Sequence, residues 1–178
     1  MDDIVKAAMA KWPNVPDCFG WLGLDSRGNW YMRDDRVQAA GDFPASKGSL
    51  LQHEKLIDFI QRNYMPDTAG RWYFQNGPQR VYVELEATPW VWRLQPDGRV
   101  LSHTGVEVQV KDSWLDETGR LYLVTELGMG LVHSADMLLA ADHVDAGAWI
   151  PQAMRSADVP VHGGFVRNPQ ASATKKPA

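Results

Sequence analysis

Asp67-Thr68-Ala69-Gly70-Arg71-Trp72-Tyr73-Phe74 carries the pattern that sets the fold class: an acidic residue, a glycine, then an aromatic run. The pattern recurs as Asp25-Ser26-Arg27-Gly28-Asn29-Trp30-Tyr31-Met32 and as Asp116-Glu117-Thr118-Gly119-Arg120-Leu121-Tyr122-Leu123. A shorter form is Pro96-Asp97-Gly98-Arg99-Val100-Leu101. Glycine supplies the positive φ that tight reversals need, and an aspartate side chain bonds back to the turn backbone. Each copy therefore predicts an antiparallel hairpin. The expected class is α+β, with β-hairpin units packed against one long helix and two shorter helices.

Outward from these turns, the remaining elements follow from periodicity. Residues 2–12 predict a short helix capped by Asp2 or Asp3 and ended by Pro13. Residues 20–33 predict the first hairpin, and the polar stretch 34–47 a loop. Ser49 and Gln52 suggest a capping box for a helix over 49–64, with Leu50, His53, Ile57, Ile60 and Tyr64 on its apolar stripe. Residues 71–132 are strand-rich. Arg80 to Glu86 alternates, placing Val81, Val83 and Leu85 on one face and Tyr82, Glu84 and Glu86 on a solvated one. Ser134 to Val144 predicts the last helix, with Ser134 as its cap; 145–162 reads as irregular. Residues 81–91 and 106–115 resemble one another, which fits a duplicated unit or chance similarity between amphipathic strands. One domain is expected over 1–162, with 1–95 and 96–162 as candidate subdomains. The tail 163–178 is too polar to order itself.

The 178 residues carry a net charge of −4, which argues against a nucleic-acid binder. A single cysteine, Cys18, forms no internal disulfide and fits a reducing cytoplasm. No apolar run is long enough for a membrane span. The expected location is cytoplasmic.

Catalytic chemistry is not legible. The histidines His53, His103, His133, His143 and His162 show no metal-ligand spacing, and neither a metal nor a cofactor is expected. His53 on its helix stripe reads as half-buried. Cys18 lies beside Asp17, which disfavours a thiolate. The candidate ligand-binding residues are the aromatic set Trp72, Trp90, Trp92 and Trp114, and the Gly128, Gly130 and Ser134 backbone before the last helix, where an anion finds free amides. The aromatic set reads first as a Trp-rich core, with a groove for a peptide, sugar or small ligand as the alternative.

The stretch Tyr73-Phe74-Gln75-Asn76-Gly77-Pro78-Gln79-Arg80-Val81-Tyr82-Val83-Glu84-Leu85-Glu86-Ala87-Thr88-Pro89-Trp90 is similar to the central motif of an uncharacterised proteobacterial family of unknown function. The resemblance spans roughly residues 20–140 and is strongest over 70–92. The opening, Trp12 to Trp30, looks like a second uncharacterised group from beta-proteobacteria. The resemblance implies an α+β fold with repeated motifs and a signalling role; Gln79-Arg80 replaces that family's Glu-Lys. Three functions stay open: a non-enzymatic module binding a small ligand or a protein, with a regulatory role; an enzyme pairing His53 or His133 with Glu84 or Asp136; and a protein that dimerises through a sheet edge.

Overall fold

The computed structural model describes residues 1–174. The elements are, in order, α1 (Asp3–Lys11), β1 (Cys18–Leu24), β2 (Trp30–Met32), α2 (Asp35–Ala40), β3 (Ser49–Leu50), α3 (Glu54–Arg62), β4 (Tyr64–Pro66), β5 (Trp72–Asn76), β6 (Gln79–Leu85), β7 (Trp90–Leu94), β8 (Val100–Ser102), β9 (Glu107–Val108), β10 (Val110–Leu115), β11 (Leu121–Thr125), β12 (Gly128–Val132), α4 (Met137–Asp145), β13 (Gln152–Ala153), α5 (Val159–Gly163) and α6 (Pro169–Thr174). The α+β class holds. Among the described residues no helix is long and apolar enough to cross a membrane.

All four expected turns close antiparallel pairs: β1–β2, β4–β5, β7–β8 and β10–β11. Gly28, Gly70, Gly98 and Gly119 sit at φ of 83°, 79°, 91° and 83°. Three of the turns share one aspartate device. The carboxylate of Asp25, Asp67 or Asp116 accepts the backbone N–H four residues on, at 2.8, 3.0 and 3.0 Å. Its other oxygen accepts a tyrosine hydroxyl, from Tyr31, Tyr82 and Tyr122 respectively. The Gly98 turn differs: Gln95 takes the opening position, and Asp97 accepts both the backbone N–H and the Nε of Arg99.

The chain forms two compact units, one of Met1–Asp25, Asn29–Glu86 and the chain from Phe165, the other of Ser26–Gly28 and Ala87–Gly164. The division thus falls after Glu86, not at 95. The first unit holds a six-stranded sheet ordered β3-β2-β1-β6-β5-β4, with β1 and β6 parallel. Leu22, Leu24, Trp30, Tyr82 and Val83 are buried in it. The second holds a seven-stranded sheet ordered β13-β10-β11-β12-β7-β8-β9, with β7 and β12 parallel. β13 aside, both sheets follow one plan: two antiparallel runs of three strands, joined by the first strand of one run and the last of the other. The look-alike stretches 81–91 and 106–115 are not equivalent in this plan. The first holds the central β6, whereas the second supplies β9 and β10 toward opposite ends of a sheet.

The expected long helix is shortened to the nine residues of α3. Ser49 and Leu50 instead pair with Met32 and Tyr31 as an edge strand, so the capping box does not form. His53 is the cap: its Nδ1 accepts Leu56 N–H at 3.2 Å, and its ring is exposed rather than half-buried. Within the expected loop 34–47, Asp34 accepts Val37 N–H and starts α2. Before the 3-10 turn that leads into α4, the cap is His133, whose Nδ1 accepts Ala135 N–H, rather than Ser134. The segment from Gly163, expected as a tail, buries Phe165 and places α6 on the first unit's sheet. Its last residues, 175–178, lie outside the described ones.

Both faces of β6 are covered. On the Val81 side, Phe59 of α3 meets Phe74 edge-on at 6.0 Å. On the other, Gln170 N–H of α6 donates to the Glu84 carboxylate at 3.0 Å. Glu84, expected on a wet face, is only 3% exposed. Burial pushes its carboxyl up to about 7, against the pull of Gln170 N–H and the Arg33 charge. Arg33 is itself buried and donates to the carbonyls of Gly20, Gly41 and Ser46.

Candidate functional site

A binding site needs a cavity and polar groups not already satisfied within the protein. Three cavities separate on that test. The one beside Leu115, Asp116, Glu117, Met154 and Arg155, about 420 Å³, has its charges engaged. Glu117 accepts both groups of Ser156, Arg155 pairs with Asp158, and Asp116 is held by its turn. The one beside Asp97, Arg99, Glu107, His143 and Trp149, about 410 Å³, is similar: Asp97 pairs with Arg99, and His143 stacks on Trp149.

The third lies in the first unit, between the end of α1 and the β5–β6 hairpin, with a volume of about 350 Å³. Pro13 disfavours helical geometry in the preceding residue, so α1 ends at Lys11 and Trp12 turns away at φ −129°. Trp12 stays 50% exposed, with Lys11 Nζ 4.6 Å from its ring. The following linker is tied to β6 by Gln79 Nε2, which donates to Pro16 O at 3.0 Å. Met9, Trp12, Pro13, Val15 and Pro78 give the cavity an apolar wall.

Its polar groups come from the β5–β6 hairpin and from the linker. Gln75 and Arg80 are opposite each other in the antiparallel pair, so their side chains share a face. Gln75 is 1% exposed; its Nε2 donates to Gly77 O, while its buried Oε1 has no partner among the described residues. Arg80 lies 4.5 Å over the Tyr73 ring and makes one long contact, 3.5 Å, to the Tyr82 hydroxyl. That contact, together with the charges of Tyr73, Tyr82 and Asp17, holds its pKa above the ordinary arginine value despite burial. Asp17, also in the lining, is exposed. Among the described residues neither Arg80 nor Asp17 makes a contact ion pair. Nearby, the Cys18 thiol is pushed up by burial, which disfavours a thiolate.

The residues anticipated from sequence lie elsewhere. Trp72 is buried against Tyr64 at 4.8 Å in the first unit. Trp90 and Trp92 do share a face, their rings stacked 6.1 Å apart, but both are buried. Their indole N–H groups donate to Leu127 O and Leu123 O. Gly128 and Gly130 belong to β12 and pair with Thr125 and Leu123, so they are strand residues rather than a turn before a helix. A side chain on Gly130 would meet the Trp92 indole at 2.6 Å, which is why the ring can lie flat on that strand. Trp114 packs edge-on against His162 at 4.6 Å. Ser134 is exposed and starts the 3-10 turn.

The groups weighed for an enzyme are already occupied. His53 and His133 use Nδ1 as caps, and Asp136 accepts from Arg93 and from Leu94 N–H. Burial alone would raise the Asp136 carboxyl, but these bonds hold it below the usual range. Among the described residues no group of three His, Cys, Asp or Glu side chains could hold a metal ion. Gln75, Arg80, Asp17 and Trp12 were not singled out as a site from sequence. The available signal was Gly77-Pro78, a two-residue hairpin turn that sets Asn76 across from Gln79 and Gln75 across from Arg80.

A family model described as "DUF2944: Protein of unknown function (DUF2946)" matches residues 1–170. The chain belongs to this family. DUF2944 carries no assigned activity in that description. No curated protein matches the sequence. Two solved structures are similar. A DUF1285 family protein from Silicibacter pomeroyi DSS-3 is 13% identical, covering 80% of this chain and 84% of its own, with a TM-score of 0.48. A second DUF1285 family protein, from Shewanella baltica OS155, is 17% identical, covering 68% of this chain and 91% of its own, with a TM-score of 0.43.

Proposed function

We propose that this DUF2944 chain is a non-catalytic cytoplasmic binding module whose small ligand occupies the cavity between α1 and the β5–β6 hairpin, in a regulatory role. The observation that carries this reading is the Arg80 guanidinium, which lines the cavity, makes one long contact of 3.5 Å to the Tyr82 hydroxyl and has no carboxylate in contact among the described residues. Such a group is suited to an anionic or acceptor-bearing ligand. Asp17 in the same lining adds the opposite charge, and Trp12 an exposed ring.

The test is a fragment screen followed by amide chemical shifts of the folded protein. Hits should perturb Trp12, Gln75 and Arg80. If hits instead gather elsewhere and these three stay silent, the reading fails.

A second reading, assembly through a sheet edge, draws on β3, where Leu50 is 46% exposed on an edge strand. Sedimentation of wild type and Leu50→Lys tests it: a wild-type dimer abolished by the substitution supports it, and a monomer at all concentrations removes it.

A further inference from the structure

Glu84 is a carboxyl set where a carboxylate is poorly supported. It is 3% exposed, and among the described residues it accepts from the Gln170 N–H of α6 at 3.0 Å and joins no contact ion pair. An ionised carboxylate has room for about four such donors. The charges around it do not fill that gap. Arg33 favours ionisation but commits its guanidinium to the carbonyls of Gly20, Gly41 and Ser46, and Asp42, beyond α2, opposes it. β1 sets Gly23 opposite Glu84, and its one titratable side chain, Cys18, pairs at Val81 instead. On β6 and beside it, Tyr82 and Arg71 are tied to Asp67, and Glu86 pairs with Lys47. α2 reaches α6 through Gln38, and its Asp35 and Arg36 are exposed. α6 itself has no ionisable side chain, and Arg167 precedes it. The cover over Glu84 is also lightly held. Residues 165–167 are firmly docked: Phe165 is buried, Val166 N–H donates to Gly70 O at 2.9 Å, and Arg167 O accepts Leu85 N–H at 2.8 Å. Beyond them Pro169 is buried, Gln170 makes its bond to Glu84 and a long one, 3.4 Å, to Gln38, and residues 171–173 are exposed.

We propose that α6 is a proton-operated latch: it stays closed on the sheet while Glu84 keeps its proton, and when the proton leaves, residues 168–174 lift away in a growing fraction of molecules and give the Glu84 carboxylate to water, while 165–167 hold the segment in place. The latch does not rest on the ligand reading above. Its sign follows from the two states of the carboxyl. In an opened molecule Glu84 is solvated and ionises at its ordinary 4.5, whereas burial under α6 raises it to about 7. Closing therefore takes up a proton between those values. The opening equilibrium rises with pH across that interval by about 300-fold in all, and is level above it. A helix held by few bonds is the part of the first unit that can respond before the whole unit unfolds.

The test is amide hydrogen exchange on the full chain at a series of pH values, with each rate divided by the intrinsic rate at that pH to give a protection factor. The Gln170 amide reports the latch; the Val166 and Leu85 amides report the anchor beside it. Protection of Gln170 should fall about 70-fold between pH 5 and pH 8, with the two anchor amides falling much less. Glu84→Gln keeps an oxygen for the Gln170 N–H and removes the titration, so its Gln170 protection should stay level across the series. Asp42→Asn, on an exposed side chain, should shorten the fall, because the like charge that helps keep the proton on Glu84 is gone. A level Gln170 profile in the wild type overturns the latch. So does a fall that the Val166 and Leu85 amides share in full, which would mean that the whole segment or the whole unit opens. A fall that persists unchanged in Glu84→Gln overturns it as well, since the proton would then belong to another group.

Discussion

Replacing Glu84 with glutamine should make the protein more stable at neutral and alkaline pH, and the gain should vanish in acid. Glu84 sits in the middle of the first unit, covered by α6, and its carboxyl is raised from 4.5 to about 7 by burial. The folded state therefore holds this proton to higher pH than the unfolded chain does. The corresponding stabilisation is complete below about pH 4.5 and is lost as pH rises through about 7. An interval of about 2.5 in pH, at about 1.4 kcal/mol each, is a loss of about 3 kcal/mol by pH 8. Glutamine keeps the oxygen that accepts Gln170 N–H and has no charge to bury. The difference in unfolding free energy, Glu84→Gln minus wild type, should thus climb by about 3 kcal/mol between pH 4.5 and pH 8. In a chain of this length, that corresponds to about 6–12 °C in thermal midpoint at pH 8. Urea titrations followed by tryptophan fluorescence at a series of pH values read it directly. Taking the difference cancels the titration of every group that the substitution leaves alone. A difference that stays flat across the series would mean that Glu84 is ionised and solvated in the native state, and the burial account would fall.

The turn aspartates Asp67 and Asp116 give the opposite slope. Burial alone would raise the Asp116 carboxyl, but bonds from Thr118, Arg120 and Tyr122 hold it below its ordinary value. Its contribution is present above about pH 4 and lost as pH falls further. Tyr122→Phe should cost about 1–3 kcal/mol and move acid unfolding to higher pH; an unchanged acid midpoint would discount the bond. Gly70→Val and Gly119→Val should each lower stability by about 1–3 kcal/mol, since a β-branched residue resists φ near 80°. Nothing lies within 4 Å of the Gly119 position, so that variant measures backbone strain alone, and an unaltered melting curve would contradict it. Gly130→Ala should destabilise by about 1–3 kcal/mol and change the near-ultraviolet dichroism of Trp92, because the added methyl would press into the indole and the Trp90 carbonyl. Unchanged dichroism would place the ring elsewhere.

What could be read from the sequence was what is local. Asp67 to Gly70 fixes its turn within a few residues, and the other three turns follow. What could not be read depends on partners far along the chain. Ser49 and Leu50 have helical spacing with Ile57 and Ile60, yet they pair with Met32 and Tyr31. Alternation along β6 suggested a wet face because α6, which covers Glu84, comes from a stretch with too few apolar residues to announce itself. Phe165 and Val166 were its hydrophobic cues. The tryptophans were conspicuous and mostly turned out to be core, with the Trp90 and Trp92 N–H groups matched to carbonyls. The cavity was harder to see because its lining joins Trp12 and Asp17 to Arg80, residues far apart in the chain.

The first unit is assembled from stretches on either side of Ala87–Gly164, which is inserted between β6 and the closing segment. Leu85 N–H donates to Arg167 O at 2.8 Å, so the two junctions of the insertion lie side by side. During synthesis the first unit cannot complete itself until the ribosome has released residues beyond Phe165, by which time the inserted unit has emerged in full. Glu84 is left uncovered over that interval, and its carboxylate stays hydrated until the final helix arrives to displace the water.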